Sequence, residues 1–317
     1  MFFLFWAGVE VVVRQESVRL ALPPGSLGID TKGGEIDSKM ALLDSYNRQG
    51  VVNCVILGDS MVDYGINPKV LQSEILKDTG QDYRCFNFGL RWNTNQTSAT
   101  LAEVLSRRYK LSLILVGTDP MAFFSTNPML RDIDMLPWIR YQLGDYSLEG
   151  FLVEHLMFYR YLLILPKNHL SIFNSPMKQY EERFQDGFES YDSIMAIPKK
   201  SREPYEEYVM DQKDLEGLQK IASLTQGKTR VIAFHIPFHP NDYPLFVVGG
   251  EKKYEEAFLN PVKEVINQAG LDYIESYPDI PSRIPKNGWL DHIHMNRDGA
   301  NFFSQWLGGQ VGEMLSR

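Results

Sequence analysis

The chain has 317 residues, enough to bury a sizeable core, and its 44% apolar and 23% charged content is that of an ordinary globular protein. A net charge of −8, with no run of lysines and arginines, argues against nucleic acid as the main partner, because binding phosphates needs a basic face. Two cysteines, Cys54 and Cys85, give neither a metal-ligand spacing nor a disulfide framework. Both fall in predicted strands and read as buried thiols, with a bridge open to them if those strands are neighbours.

Residues 1–16 begin with MFFLFWAGVEVVV, apolar except for Glu10 and followed by Arg14. Thirteen helical residues reach about 20 Å, against a hydrocarbon thickness of about 30 Å. No basic residue precedes the run and no small-residue cleavage site follows it, so it lacks the pattern of a complete signal peptide. Two readings stand: a membrane anchor or its remnant, which the Phe, Leu and Trp content favours, and a helix packed on the domain. Residues 17–50, with Pro23-Pro24-Gly25 and Gly33-Gly34, read as a linker and entry segment.

Residues 51–317 carry the domain. Val51–Leu57 is a strand of the apolar, β-branched kind buried on both faces, and it stops at Gly58-Asp59-Ser60. Pro68–Lys77 has helical spacing with proline in the first turn. A second strand, Asp82–Phe88, ends at Gly89; a helix, Thr94–Tyr109, follows. The third strand, Leu111–Val116, ends at Gly117-Thr118-Asp119-Pro120. Alternation of this kind predicts a parallel sheet with right-handed crossovers. Residues 121–224 contain no comparable strand, and a hundred residues is too long for a plain crossover. They read as a mostly helical insertion, with Phe151–Leu165 as a buried helix and Glu203–Ile221 as another. A fourth strand, Thr229–His235, a helix, Glu251–Ala269, and a short strand, Leu271–Ile274, restore the pattern. A proline-rich loop, Ser276–Gly288, leads to Asp291-His292-Ile293-His294 and a last helix, Arg297–Leu315.

Chemistry-bearing residues gather at the strand ends. In a parallel sheet these open on one edge, so Ser60, Asp119, His235 with His239, and Asp291 with His294 can converge. A serine hydroxyl needs a base within hydrogen-bond reach, and a carboxylate can fix the tautomer of a histidine base. Asp291 is close enough in the loop to hold the His294 ring, and Asn296 or Asp298 is placed to cap the last helix. Gly-Asp-Ser by itself also reads as a strand, a turn and a cap, with Asp59 and Ser60 offering oxygens to free amides.

At these residues the chain resembles the SGNH (GDSL-type) hydrolase superfamily. Ile56–Ser60 matches its first block, and Asp291–His294 with Met295-Asn296-Arg297-Asp298-Gly299-Ala300 matches its last. The resemblance covers about Val51 to Trp306 and implies a three-layer α/β/α fold with a flavodoxin-like parallel sheet of about five strands. It implies Ser60 as nucleophile, His294 as base and Asp291 as the orienting carboxylate. It also implies an oxyanion hole from the serine amide, a glycine after the second strand and an asparagine after the third. Gly89 is a candidate for that glycine, and Trp92 is the alternative position. Asp119 stands where the asparagine belongs, and an ionised carboxylate cannot donate. Asn93, Arg91 or a protonated Asp119 are the candidates to compensate; Asp59 and either His235 or His239 are expected to line the cleft.

These departures resemble a divergent branch of the superfamily, the envelope-polymer O-acyltransferase and esterase proteins of bacteria. The function expected is a serine esterase or O-acyltransferase working on an acylated carbohydrate or lipid-linked polymer, extracytoplasmic and anchored to the membrane. The rival is a chain that keeps the fold without the chemistry and serves as a binding or scaffold component. No cofactor and no metal is expected: Pro237 breaks any helix that would align His235 with His239, and no HExxH pattern follows. His292 is a second candidate for the base. His155, His169 and the aromatic residues of the insertion are expected to be packed or solvated rather than functional.

Overall fold

A strand whose side chains are apolar on both faces is stable only with a layer on each side, and this requirement organises the sheet. The computed structural model describes residues 2–28, 35–124, 133–164, 176–192, 208–224, 229–240 and 250–317. Five strands form one parallel sheet in the order β2-β1-β3-β4-β5: β1 Cys54–Gly58, β2 Cys85–Gly89, β3 Leu113–Thr118, β4 Arg230–His235 and β5 Asp272–Ile274. Every residue of β1, β2 and β3 is buried. Helices cover both faces. Pro68–Thr79 packs against Arg297–Leu315, while Gln212–Ser223 packs against both Asn95–Arg108 and Asn260–Ala269. The fold is the expected three-layer α/β/α arrangement, and its strand order is the flavodoxin-like one, whose switch point lies between β1 and β3.

Local signals set the boundaries. Asn67 caps Pro68–Thr79, which ends at the left-handed Gly80. Thr94 caps Asn95–Arg108. The helix expected over Glu251–Ala269 runs from Gly250 with a single π turn at Glu255–Leu259, just before Pro261.

The chain divides into two compact units, residues 51–131 with 188–317, which hold the sheet, and residues 1–50 with 132–187. The second unit differs from the expected linker and insertion. Residues 17–50 are not a plain linker, because Glu16–Ala21 and Glu35–Gln49 are helices and Ile36, Met40, Leu42, Leu43 and Tyr46 are buried. The apolar Phe151–Leu165 run is not one helix. It breaks at the extended Leu156 into Leu148–His155 and Met157–Leu162. One charged residue from outside the run and one within it hold the break. Glu10 accepts the freed amides of Met157 and Phe158 (3.0 and 2.9 Å), and Arg160 donates to the Val153 and Glu154 carbonyls (2.6 and 3.2 Å). Helix Phe2–Arg14 is thereby tied to the insertion, with Trp6 stacked on Phe158. Among the described residues no helix is long and apolar enough to cross a membrane. Gly33-Gly34, His169 and the first part of the expected Glu203–Ile221 helix lie outside the described residues; Gln212–Ser223 is helical.

The cysteines are a second correction. Cys54 and Cys85 are register partners on the adjacent strands β1 and β2, their Cα atoms 4.2 Å apart, and they form a disulfide instead of remaining free thiols. Sequence spacing could not choose between these states, since the pairing depends on strand order.

Candidate active site

The C-terminal end of β1 builds the nucleophile. At Gly58 a Cβ would meet the Val62 side chain at 2.2 Å, so only glycine lets the following helix fold back onto the strand. Asp59 caps that helix, Ser60–Gly65, by accepting the Met61 amide at 2.8 Å. Ser60 is then the first helical residue, half-buried, at the sheet edge beside the β1/β3 switch point.

The loop before the last helix supplies the base. Leu290 and Asp291 amides donate to the His294 carbonyl (2.9 and 3.3 Å), and Asn296 donates to the Asn287 carbonyl at 2.6 Å. Asn296 also caps Arg297–Leu315 by accepting the Asp298 and Gly299 amides. Within this tight turn Asp291 Oδ1 accepts the Ile293 and His294 amides (2.9 and 2.8 Å) while Oδ2 meets His294 Nδ1 at 2.8 Å. His294 Nε2 lies 2.9 Å from Ser60 Oγ. A Ser60–His294–Asp291 relay is therefore continuous across 234 residues of sequence separation. His294, and not His292, reaches the serine. Burial alone would raise the Asp291 carboxyl, but the hydrogen bonds and charge of His294, with the two amides, hold it below the ordinary carboxylate range. It is thus an acceptor that fixes Nδ1–H and leaves Nε2 to take the serine proton.

The parallel sheet in the order β2-β1-β3-β4-β5, the serine after β1 and the Asp-x-x-His turn before the last helix are the arrangement that the resemblance implies. No family model matches the sequence, and no curated protein matches it. Among solved structures it is similar to a lipase/acylhydrolase from Enterococcus faecalis (11% identity, TM-score 0.40, covering 83% of this chain and 97% of that one). It is similar also to a GDSL-like lipase from Bacteroides thetaiotaomicron (10%, 0.40, 87% and 98%). A third is an acetyl-xylooligosaccharide esterase mutant from Geobacillus Stearmophilus (10%, 0.37, 80% and 90%).

The remaining expected site residues are placed differently. Gly89 is not an open oxyanion donor, because its amide is taken by Asn87 Oδ1 at 2.8 Å. Its lack of a side chain serves packing instead: a Cβ there would meet the Asp63 backbone nitrogen at 2.4 Å. The left-handed backbone belongs to Trp92 (φ 59°), 42% exposed in the turn that follows β2. Asn93 is 1% exposed, and its amide nitrogen bonds the Gly58 carbonyl and Ser98 Oγ, both at 2.9 Å. It braces the nucleophile strand and does not face a substrate. His235 does not line a cleft either. It is fully buried, with Nδ1 2.7 Å from Ser276 Oγ and Nε2 2.7 Å from the Tyr254 hydroxyl. Burial, then the charge of Lys263, pushes its pKa down to about 3, so the ring stays neutral and structural.

Asp119 is fully buried and cannot touch an acyl oxygen in this arrangement. Its Oδ1 caps the Pro120–Phe123 turn through the Met121 and Ala122 amides (2.8 and 3.1 Å). Its Oδ2 is buried without a hydrogen-bond partner. Burial raises its pKa to about 7 against the pull of those amides. Asp59, 5% exposed, is raised well above the ordinary range by burial and then by the Asp119 charge. The fully buried Asp63, within the nucleophile helix, acts on Asp59 in the same sense.

Sequence reasoning passed over Asn87. Its amide nitrogen donates to the carbonyls of Val62, Asp63 and Ile66 (2.9, 3.3 and 2.8 Å), the first of which also accepts the Ile66 amide at 3.1 Å. A buried carbonyl left without a partner costs about 1–3 kcal/mol, so Asn87 anchors the Ser60 helix to β2. The signal was available: an asparagine inside the buried run Cys-Phe-Asn-Phe-Gly has to be hydrogen-bonded.

Proposed function

We propose that this chain is a serine hydrolase or acyltransferase of carboxylic esters, working through an acyl-enzyme on Ser60. The observation that carries the proposal is the unbroken relay, 2.9 Å from Ser60 to His294 and 2.8 Å from His294 to Asp291. As Ser60 Oγ bonds to the acyl carbon, its proton passes to His294 Nε2, and Asp291 stabilises the imidazolium formed. Collapse of the tetrahedral intermediate breaks the bond to the alcohol oxygen, which leaves with that proton. Water, or a second alcohol in the transferase case, gives its proton to His294 as its oxygen bonds to the acyl carbon; the bond from that carbon to Ser60 Oγ then breaks and His294 returns the proton to Oγ. The Ser60 amide, at the first helical position, has no carbonyl one turn earlier to bind and is free to donate to the developing oxyanion.

A second reading, a binding or scaffold protein without turnover, draws on the committed amides of Gly89 and Asn93 and the sealed Asp119. Labelling with a fluorophosphonate separates the two. The esterase reading expects wild type to be labelled and Ser60→Ala not; an unlabelled wild type would favour the scaffold.

We infer that the substrate class is an acylated carbohydrate or envelope polymer and that the protein works outside the cytoplasm at a membrane surface. Support for the place comes from the Cys54–Cys85 disulfide, a bond that oxidising compartments preserve, and from Phe5, Val11 and Val12, exposed on the apolar helix Phe2–Arg14. Protein isolated from its native host should contain no titratable thiol after denaturation and should sediment with membranes until detergent is added. Two free thiols, or recovery without detergent, would contradict this placement.

A further inference from the structure

One segment beside the catalytic histidine has no part in the reaction as drawn. Residues 188–192 form neither helix nor strand, yet Arg297 fastens them at three points. Its amide donates to the Tyr191 carbonyl at 2.9 Å, its guanidinium donates to Ser190 Oγ at 3.0 Å, and it pairs with the Asp192 carboxylate at 3.0 Å. Arg297 follows His294 by three residues, so the segment is tied to the turn that carries the base. The Tyr191 ring lies 5.3 Å from the Tyr64 ring, which stands edge-to-face on His294 at 4.8 Å. The Tyr191 hydroxyl donates to Glu189 Oε1 at 2.6 Å. Tyr64 is raised by burial first and then by the Glu189 charge, with Arg91 acting in the opposite sense, so both charges bear on the same ring.

Two tyrosine rings and, through the Tyr191 hydroxyl, the Glu189 carboxylate thus gather beside His294. A long aliphatic group placed there would desolvate the Glu189 carboxylate and offer it no hydrogen bond. A sugar meets both demands, giving hydroxyls to the carboxylate and C–H faces to the rings. We propose that the 188–192 segment is the alcohol-side wall of the ester site, with Glu189 and Tyr191 selecting esters of hydroxyl-rich carbohydrates and Arg297 acting as the positioning residue. This rests on the ester-cleaving reading given above.

The test compares acetylated xylo-, gluco- and glucosamine oligosaccharides with p-nitrophenyl acetate and p-nitrophenyl octanoate. In Tyr191→Ala, Glu189→Gln and Arg297→Ala the ratio of kcat/KM on the sugar esters to that on p-nitrophenyl acetate should fall about tenfold or more, chiefly through KM. Arg297→Lys should recover part of the loss. An unchanged ratio, which a purely structural role would give, overturns the proposal, as does a wild-type preference for the octanoate over every sugar ester. Calorimetric titration of Ser60→Ala with the same oligosaccharides keeps the result apart from the fate of the reaction itself. Binding that Tyr191→Ala weakens in that background supports the wall even where no hydrolysis is found; no binding across the panel refutes it.

Discussion

Ser60→Ala is expected to remove ester turnover, lowering kcat/KM by about 10⁴-fold or more, and Asp291→Asn by about 10⁴-fold with the fold intact. The two substitutions act on different atoms of one relay. Alanine removes the oxygen that becomes acylated. Asparagine leaves the Oδ1 contacts to the Ile293 and His294 amides able to form, but it presents an NH₂ to His294 Nδ1 where Oδ2 stood at 2.8 Å. The ring would answer by accepting at Nδ1, which puts its proton on Nε2, facing Ser60, where it cannot serve as base. Kinetics on p-nitrophenyl acetate with circular dichroism as the folding control measure this. A loss under tenfold in Asp291→Asn would show that Asp291 does not set the tautomer of His294. His292→Ala should be far milder, since that ring makes no hydrogen bond to Ser60 while His294 does.

Stability should fall as pH rises from about 4 to about 7, and Asp119→Asn should remove much of that fall. An unfolded aspartate ionises near pH 3.9, whereas buried Asp119 holds its proton up to about 7. Folding therefore takes up a proton between those limits. The stability associated with the protonated acid is complete below about pH 4 and is lost progressively up to about pH 7, on the order of 4 kcal/mol for three units. The direction for Asp59 is the same, since burial and then the Asp119 charge raise it. Asparagine retains the oxygen that caps Met121 and Ala122 and carries no charge. Denaturant melts of both proteins from pH 4 to pH 8 are the measurement: the variant should match wild type near pH 4 and exceed it by several kcal/mol at pH 8. A difference that stays constant with pH would mean that the Asp119 carboxyl does not titrate in this range.

Most of the frame could be read from the chain because it rests on local patterns. Apolar runs ending in Gly58, Gly89 and Gly117 gave the strands, and helices between them required parallel pairing. The Asp291–His294 turn was equally legible, because a carboxylate three residues before a histidine in a tight loop reaches the ring without help from distant segments. Leu156 shows where such reading stops. Nothing in its own neighbourhood breaks the helix; Glu10, far away in sequence, makes the break stable by capping Met157 and Phe158.

By itself, then, the sequence determined the parallel sheet, the serine at its edge and the histidine–aspartate turn, since hydrophobic periodicity and short-range spacing are enough for each. Tertiary structure alone decided which polar groups around Ser60 are available. Gly89 and Asn93 had the right chemistry for oxyanion donors, yet their N–H groups are spent on Asn87, Gly58 and Ser98. Asp119 had the right position along β3, yet it is sealed. Cys54 met Cys85 only because β2 lies next to β1. A hydrogen-bond donor can be committed to one acceptor before another arrives, and which acceptor comes first depends on strand register and layer packing, quantities set by contacts between segments far apart in the chain.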